Sequence, residues 1–219
     1  MPHSSPIGAH YVELDGANSY LSFPDALYYK PGAQGDLTLH CAFIDWPASG
    51  TATIYGKDGF GQKFQITSAG ILSFVSTRAG GSVTVTATVA LTRGVEYILY
   101  GVDDGSTVKL YVNGLQVGST GTSQTGLLTK DTASFYVGND VTDVLLTKMR
   151  VYGFGMRLDQ EVVGRWRVKP GQLNEAGAAV VRDLSGFAND ALIAGSVTTQ
   201  YVLADAWQPE PAFAGRVAL

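Results

Sequence analysis

Residues 109–118, KLYVNGLQVG, constrain the fold more than any other part of this sequence. Apolar residues alternate with polar or aromatic ones over residues 108–112, which predicts a strand with one apolar face. Asn113 and Gly114 are the two residues that most readily supply the positive φ angles of a type I′ turn. The sequence therefore predicts a β-hairpin whose second strand begins at Leu115.

The rest of the chain has the composition of strands and turns. Hydrophobic residues make up 45% of the 219 residues, charged residues only 16%, and there are 27 glycines. Residues 82–91 alternate apolar side chains with Thr, and other short apolar runs divided by turn residues fill residues 11–152. This spacing is typical of an all-β sandwich or barrel, and a chain of this length is expected to form a single domain.

One segment carries helical signals instead. Asp159 can cap a helix, Val162 and Trp166 are four residues apart, and the Lys-Pro-Gly sequence at 169–171 would end it. We therefore predict a short helix near residues 159–168 whose Trp166 packs against the sandwich.

The two ends of the chain are predicted to lie outside the sandwich. Residues 1–10 are assigned to an N-terminal arm, and residues 201–219, which contain prolines, to an extended C-terminal arm. The sandwich is assigned to residues 11–200, with a C-terminal strand segment at residues 183–197.

Charge and hydropathy exclude several classes of partner. The net charge is −4 and no long cluster of Lys and Arg occurs, so nucleic acid is not expected as a partner. No apolar run approaches the ~20 residues of a membrane span, and the N-terminus lacks the pattern of a secretory signal. Cys41 is the single cysteine, and its place in an apolar strand predicts a buried thiol.

Several segments, in this order, share their pattern with one known group of proteins. They are residues 12–25, residues 56–59 with 64–66, residues 93–97 with 109–118, and residues 136–138 with 149–152 and the predicted helix at 159–168. These segments, which span residues 11–168, resemble the LamG-like jelly rolls of the concanavalin A-like lectin/glucanase superfamily, related to laminin G domains and pentraxins. The resemblance implies a two-sheet antiparallel β-sandwich with jelly-roll topology.

The chain departs from that pattern in two places. Thr147 and Lys148 stand where such proteins usually have an acidic residue before the strand at 149–152. Residues 173–175 together with 183–190 are similar to a segment that usually precedes the first strand, whereas here they follow the predicted helix. The C-terminal piece therefore either closes the same sandwich in a permuted order or begins a separate interaction surface.

The sequence does not predict an enzyme. A retaining glycosidase needs two neighbouring carboxyls, which the glucanases supply as Glu-x-Asp-x-x-Glu. The nearest match places Glu13 and Asp15 correctly but has Asn18 where the second Glu is required. His40 is the only histidine of the predicted domain, and no known nucleophile or metalloprotease motif is present.

Sugar-binding surfaces combine aromatic rings with a few amides and carboxylates. Two loop clusters fit this description, although acidic and glycine-rich loops can also be ordinary turns. The candidate ligand-binding residues are Tyr55, Lys57, Asp58 and Phe60 in one cluster and Tyr28 and Tyr29 in the other.

A third cluster offers oxygen ligands. Asn139, Asp140 and Asp143 would suit calcium, the ion that binds to such side chains. No other cofactor is predicted.

The features together favour a non-catalytic virion surface protein, either a capsid decoration or a tail or fibre component. The resemblance implies an adhesive fold, which could bind host glycans. Such a protein would be made in the host cytoplasm without a signal peptide. It would dock on other virion subunits through its two arms and form a homo-oligomer. A bacterial carbohydrate-binding module or lectin, located outside the cell, is the alternative, and a glycoside hydrolase is the least favoured hypothesis.

Overall fold

The computed structural model describes residues 11–23, 32–56, 61–129, 135–138, 147–168, 180–185, 189–194 and 198–200. Within these ranges the chain forms sixteen strands and no helix. The strands are β1 Tyr11–Leu14, β2 Tyr20–Phe23, β3 Gly35–Phe43, β4 Thr51–Gly56, β5 Gln62–Thr67, β6 Leu72–Arg78, β7 Gly81–Thr86, β8 Glu96–Asp103, β9 Thr107–Val112, β10 Leu115–Thr122, β11 Phe135–Val137, β12 Met149–Leu158, β13 Glu161–Arg167, β14 Val180–Val181, β15 Ala191–Ala194 and β16 Thr198–Gln200.

The strands form two antiparallel sheets. The first sheet has the order β10-β9-β8-β3-β12-β1-β16, and β13 pairs with the C-terminal half of β12. The second sheet has the order β14-β15-β2-β11-β4-β5-β6-β7. The prediction of an all-β, two-sheet antiparallel sandwich is therefore confirmed. The described residues include no helix with the length and hydropathy of a transmembrane span.

The core lies between the two sheets and follows from the alternation along each strand. On β3, Leu37, Leu39 and Cys41 are fully buried, while the residues between them are only half-buried. Phe64 and Phe74 of the second sheet pack into the same core with their ring centroids 5.3 Å apart. Burial, reinforced by the charge of Glu96, raises the pKa of the Cys41 thiol, so the predicted buried thiol is confirmed.

The predicted hairpin is also confirmed. Asn113 and Gly114 have φ angles of 51° and 80°, as a type I′ turn requires, and Leu115 pairs with Val112. The alternation at residues 82–91 is only partly strand, because β7 ends at Thr86 and the side chain of Val89 is 73% exposed.

The helix predicted near residues 159–168 is wrong. Asp159 and Gln160 have φ angles of 48° and 72° and form the turn of a second hairpin, which joins β12 to β13. Trp166 pairs with Phe154 across that hairpin, and their rings stack with centroids 4.7 Å apart. The four-residue spacing of Val162 and Trp166 does not mark one apolar face here. The pairing of β12 with β13 is irregular between Met156 and Arg157, and Val162 is 37% exposed while Trp166 is buried.

The strands after residue 180 join both sheets of the same sandwich. β15 pairs with β2, and β16 pairs with β1. The indole Nε1 of Trp166 donates a hydrogen bond of 2.6 Å to the carbonyl of Asn189, and Trp166 forms an isolated bridge with Asp183. The C-terminal piece therefore closes the same sandwich rather than forming a separate surface. Residues 1–10 and 201–219, the predicted arms, lie outside the described residues.

Candidate functional site

The structure places one of the predicted ligand-binding residues in the core. Tyr55 lies on β4 with 0% of its surface exposed, and its hydroxyl donates a 3.0 Å hydrogen bond to the carbonyl of Gly155. Its ring meets Phe154 edge to face, with centroids 5.7 Å apart. Tyr55 therefore joins the two sheets rather than presenting a ring to a ligand. β4 is buried from Ala52 to Gly56, and its pairing with β5 is irregular between Thr53 and Tyr55.

The other predicted site residues lie outside the described residues: Lys57, Asp58, Phe60, Tyr28, Tyr29, Asn139, Asp140 and Asp143. The calcium site at residues 139–143 therefore stays a prediction. The described part of the chain brings no three His, Cys, Asp or Glu side chains together as a metal cluster.

A different surface, on the outer face of the first sheet, gathers aromatic and charged side chains. Because Leu37, Leu39 and Cys41 point into the core, the residues between them on β3 point outward. The same alternation on the neighbouring strands turns four tyrosines to that face. We call this surface the tyrosine face and define it by Tyr11, Asp36, Thr38, His40, Tyr100, Tyr111 and Tyr152.

The aromatic rings of the tyrosine face form two contacting groups. Tyr152 meets Tyr11 edge to face, with centroids 5.7 Å apart, and His40 on its other side at 4.7 Å. Tyr100 and Tyr111 form the second group, with centroids 5.8 Å apart. Their strands β1, β12, β3, β8 and β9 are consecutive in the sheet, so the face is about 19 Å wide from Tyr11 to Tyr111.

Charged groups border the first aromatic group. Glu13 accepts a hydrogen bond from the Nε of Arg150 at 3.1 Å, and the guanidinium of Arg150 lies 4.9 Å from the ring centroid of Tyr11. His40 Nε2 and Glu96 Oε1 are 2.5 Å apart. These contacts hold the rings and the charged groups in one fixed arrangement.

In the second aromatic group, the hydroxyl of Tyr100 donates a hydrogen bond of 2.8 Å to the carboxylate of Asp36. Burial raises the pKa of Asp36, although this hydrogen bond and the charge of Arg157 act in the opposite direction. Burial and the nearby Asp36 raise the pKa of Tyr100. Burial, together with the charge of Glu96, raises the pKa of Tyr152 to about 12. Both of these phenols therefore stay protonated at neutral pH.

Two hydroxyls of the face are available to a ligand. Those of Tyr111 and Tyr152 have no hydrogen-bond partner within the described part of the chain, and both residues are only half-buried. Each can donate one hydrogen bond and accept others. The face therefore combines ring surfaces with free polar groups.

The carboxylate of the tyrosine face, Asp36, and the two that border it, Glu13 and Glu96, are spaced too widely for paired-carboxyl chemistry. Glu13 and Glu96 lie in one cross-strand row, three strand spacings or about 14 Å apart. Asp36 is six residues along β3 from that row, or about 20 Å. A glycosidase pair needs a separation of roughly 5 to 9.5 Å.

Sequence inspection missed the tyrosine face because its members are scattered from residue 11 to residue 152. The signal was present on each strand, where a Tyr or His occupies an outward position between buried residues. These outward residues can be recognised as one surface only when the strand order is known, because β12 and β8 lie on either side of β3.

The two sheets and the aromatic outer face define a lectin-like β-sandwich. The chain belongs to the concanavalin A-like lectin/glucanases superfamily, because the Laminin_G_3 family model matches residues 15–162. The resemblance found in the sequence is thus confirmed at the level of the family. No curated protein matches the chain.

Solved structures share the fold at low sequence identity. A protein from Bacteroides ovatus, provisionally described as carbohydrate-binding, aligns with a TM-score of 0.67 and 14% identity over 91% of this chain. This chain spans 61% of the length of that protein. A heptameric SAP-like pentraxin from Limulus polyphemus has a TM-score of 0.40 and 15% identity, over 65% of this chain and 77% of its own. Botulinum neurotoxin type C has a TM-score of 0.42 and 16% identity, over 56% of this chain and 32% of its own.

Proposed function

We propose that this chain is a non-catalytic carbohydrate-binding module and that its tyrosine face is the binding surface. The observation that carries the proposal is the grouping of the half-buried Tyr152, Tyr100 and Tyr111 on one outer sheet face, with two phenol hydroxyls available to a ligand. Tyr11, which is only 6% exposed, packs against Tyr152 and supports its ring. The family and the Bacteroides ovatus neighbour support the same class of function.

The chemistry of a sugar matches this face. A pyranose ring presents C–H groups that pack on an aromatic ring and hydroxyls that need both donors and acceptors. The rings of Tyr152 and Tyr111 would pack against the C–H groups. Their hydroxyls and that of Thr38 would form hydrogen bonds with the sugar hydroxyls. The width of about 19 Å favours an oligosaccharide over a single monosaccharide, because the two aromatic groups can each contact a different unit.

The absence of catalysis is part of the proposal. The wide spacing of Glu13, Asp36 and Glu96 supports it, and so do the contacts that Glu13 already makes with Arg150 and Glu96 with His40. A hydrolase would need two of these carboxylates to flank one glycosidic bond.

A glycan array followed by isothermal titration tests the proposal. The wild type should bind at least one oligosaccharide, and Tyr152→Ala should weaken that binding by about 1–2 kcal/mol, roughly 5- to 30-fold. Tyr20→Ala is the matched control, because Tyr20 lies on the second sheet and contacts Tyr136. Equal losses from the two variants, or no binding to any glycan, would contradict the proposal.

We further propose that the setting of this module is a virion surface, as predicted from the sequence. The resemblance to LamG-like modules supports this setting, and a glycan-binding face would serve adhesion to a host. Mass spectrometry of purified virus particles should detect the chain among the structural proteins. Detection only in the medium of bacteria without virus particles would instead favour the bacterial carbohydrate-binding module. The homo-oligomer also stays a prediction, which light scattering of the purified protein can check.

A further inference from the structure

A cavity of about 530 Å³ opens at one end of the sandwich, outside the tyrosine face. It lies between the residues that precede β3, the turn from β8 to β9, and residues 123–126 after β10. We call it the end cavity. Its lining includes Gln34, Arg78, Asp104, Ser106, Gln124 and Thr125.

Arg78 gives the end cavity a buried donor. Its side chain is only 3% exposed, and its Nε and Nη2 donate to the carboxylate of Asp103 at 2.8 Å each. Nη2 also donates to the carbonyl of Ala33, and Nη1 to that of Gly126. A guanidinium has five N–H groups, so one N–H on Nη1 has no partner among the described residues. Because a buried unpaired donor is costly, this group favours an acceptor from a ligand.

The charges around the end cavity cancel. Asp103 neutralises Arg78, and Asp104 on the rim accepts hydrogen bonds from the backbone and hydroxyl of Thr107 and lies 3.8 Å from Lys109. No excess positive charge is available for an anion. The carboxylates already have their donors, so they are poor ligands for a cation. The lining therefore suits a neutral molecule.

The walls of the end cavity are fixed before any ligand arrives. The Asp159 carboxylate accepts hydrogen bonds from the backbone N–H groups of Ala33 and Gln34, at 2.7 Å and 2.9 Å. On the opposite side, the N–H of Gly80 donates to the carbonyl of Thr125 at 3.0 Å. A preformed site loses less conformational entropy on binding.

We propose that the end cavity binds a small neutral polyhydroxylated molecule, such as one monosaccharide unit. Amides at Gln34 and Gln124 and hydroxyls at Ser106 and Thr125 both donate and accept, as sugar hydroxyls require. The volume lies within the ~300–1,000 Å³ of small-ligand sites. The unit could be a free sugar or the end of a glycan, which have the same chemistry. This site uses residues distinct from the tyrosine face and does not depend on the proposed function.

Isothermal titration tests this proposal with glucose, galactose, mannose, N-acetylglucosamine and their methyl glycosides as probes. At least one probe should bind saturably to the wild type. Gln124→Ala should weaken that binding about fivefold, the effect of one lost hydrogen bond. Ser106→Trp should abolish it, because the indole would fill the cavity. Circular dichroism checks the fold of both variants, and Tyr152→Ala, on the tyrosine face, should bind the probe like the wild type.

The probes also separate the two sources of such a unit. Binding of free sugars alone identifies a free metabolite, and binding of methyl glycosides identifies a glycan end; both uphold the proposal. Failure of all probes overturns it, as does binding that survives Ser106→Trp or binding of only phosphate or calcium chloride. Loss of probe binding in Tyr152→Ala, with Ser106→Trp unchanged, would overturn this proposal and leave the tyrosine face supported.

Discussion

Replacing Asp103 with Asn should destabilise this protein more than any surface substitution, because it removes the charge that neutralises a buried arginine. The side chains of Asp103 and Arg78 are 0% and 3% exposed. The Asp103 carboxylate accepts five hydrogen bonds, two from Arg78 and one each from the Ser76 hydroxyl, the Gly105 N–H and the Ser123 hydroxyl. Removal of one partner from such a pair costs about 3–5 kcal/mol. That is a large part of the ~5–15 kcal/mol by which a domain is stable.

Urea unfolding followed by tryptophan fluorescence measures this cost. The matched control is Asp45→Asn, which breaks the ion pair between Asp45 and Arg93, where the side chains are 62% and 55% exposed. An exposed pair contributes about 0–1 kcal/mol, so the control should unfold almost like the wild type. The double variant Arg78→Met with Asp103→Leu should lose less stability than Asp103→Asn, because it buries no unpaired charge. Equal costs for Asp103→Asn and Asp45→Asn would refute the reasoning.

The pair of Arg78 and Asp103 also predicts how the free energy of unfolding depends on pH. Burial opposes ionisation of Asp103, but the hydrogen bonds from Arg78 and Ser76 outweigh it and hold the pKa of this carboxyl below its usual range. A pKa lowered by folding stabilises the protein fully above the ordinary value of about 3.9, and the contribution is lost as pH falls towards the folded value. The stability difference between wild type and Asp103→Asn should therefore stay constant from neutral pH to about pH 5 and shrink below about pH 4. A difference that grows in acid would contradict this sign.

Three further predictions concern the fold. Deletion of residues 180–219 should leave the chain unfolded or insoluble in a sedimentation assay, because it removes the strands that pair with β1 and β2, whereas deletion of residues 201–219 alone should leave it folded. Gly114→Ala should cost about 1–2 kcal/mol in urea unfolding, because Gly114 has a φ angle of 80°, and no cost would contradict the turn. The thiol of Cys41 should react with a thiol reagent only in denaturing urea, since burial raises its pKa, and fast reaction of the folded protein would refute its burial.

Local patterns in the sequence were enough to predict an all-β sandwich or barrel, and the family resemblance narrowed this to a two-sheet sandwich. Two-residue alternation on β3 and the Asn113-Gly114 turn depend on interactions within a few residues, and the structure shows both. The helix prediction at residues 159–168 was wrong because it also depended only on local signals. Its local signals fit either a helix or a strand, and pairing with the distant β12 decided between them.

The candidate sites depend on contacts between distant residues. Arg78 meets Asp103 across 25 residues and Gly126 across 48, and no motif records either contact. The tyrosine face likewise exists only after β8, β3 and β12 have become neighbours. Tyr55 was a wrong site prediction of the other kind: it is an aromatic residue beside a predicted loop, yet it is part of the core.

The central claim is that the outer face of the first sheet binds carbohydrate. The most direct measurement is backbone-amide chemical-shift mapping by NMR, with the oligosaccharide that binds best in the glycan array. The account predicts that the shifts concentrate on β3, β8 and β12, at and around His40, Tyr100 and Tyr152. Shifts confined to the second sheet, or to residues 57–60 and 139–146, would contradict it.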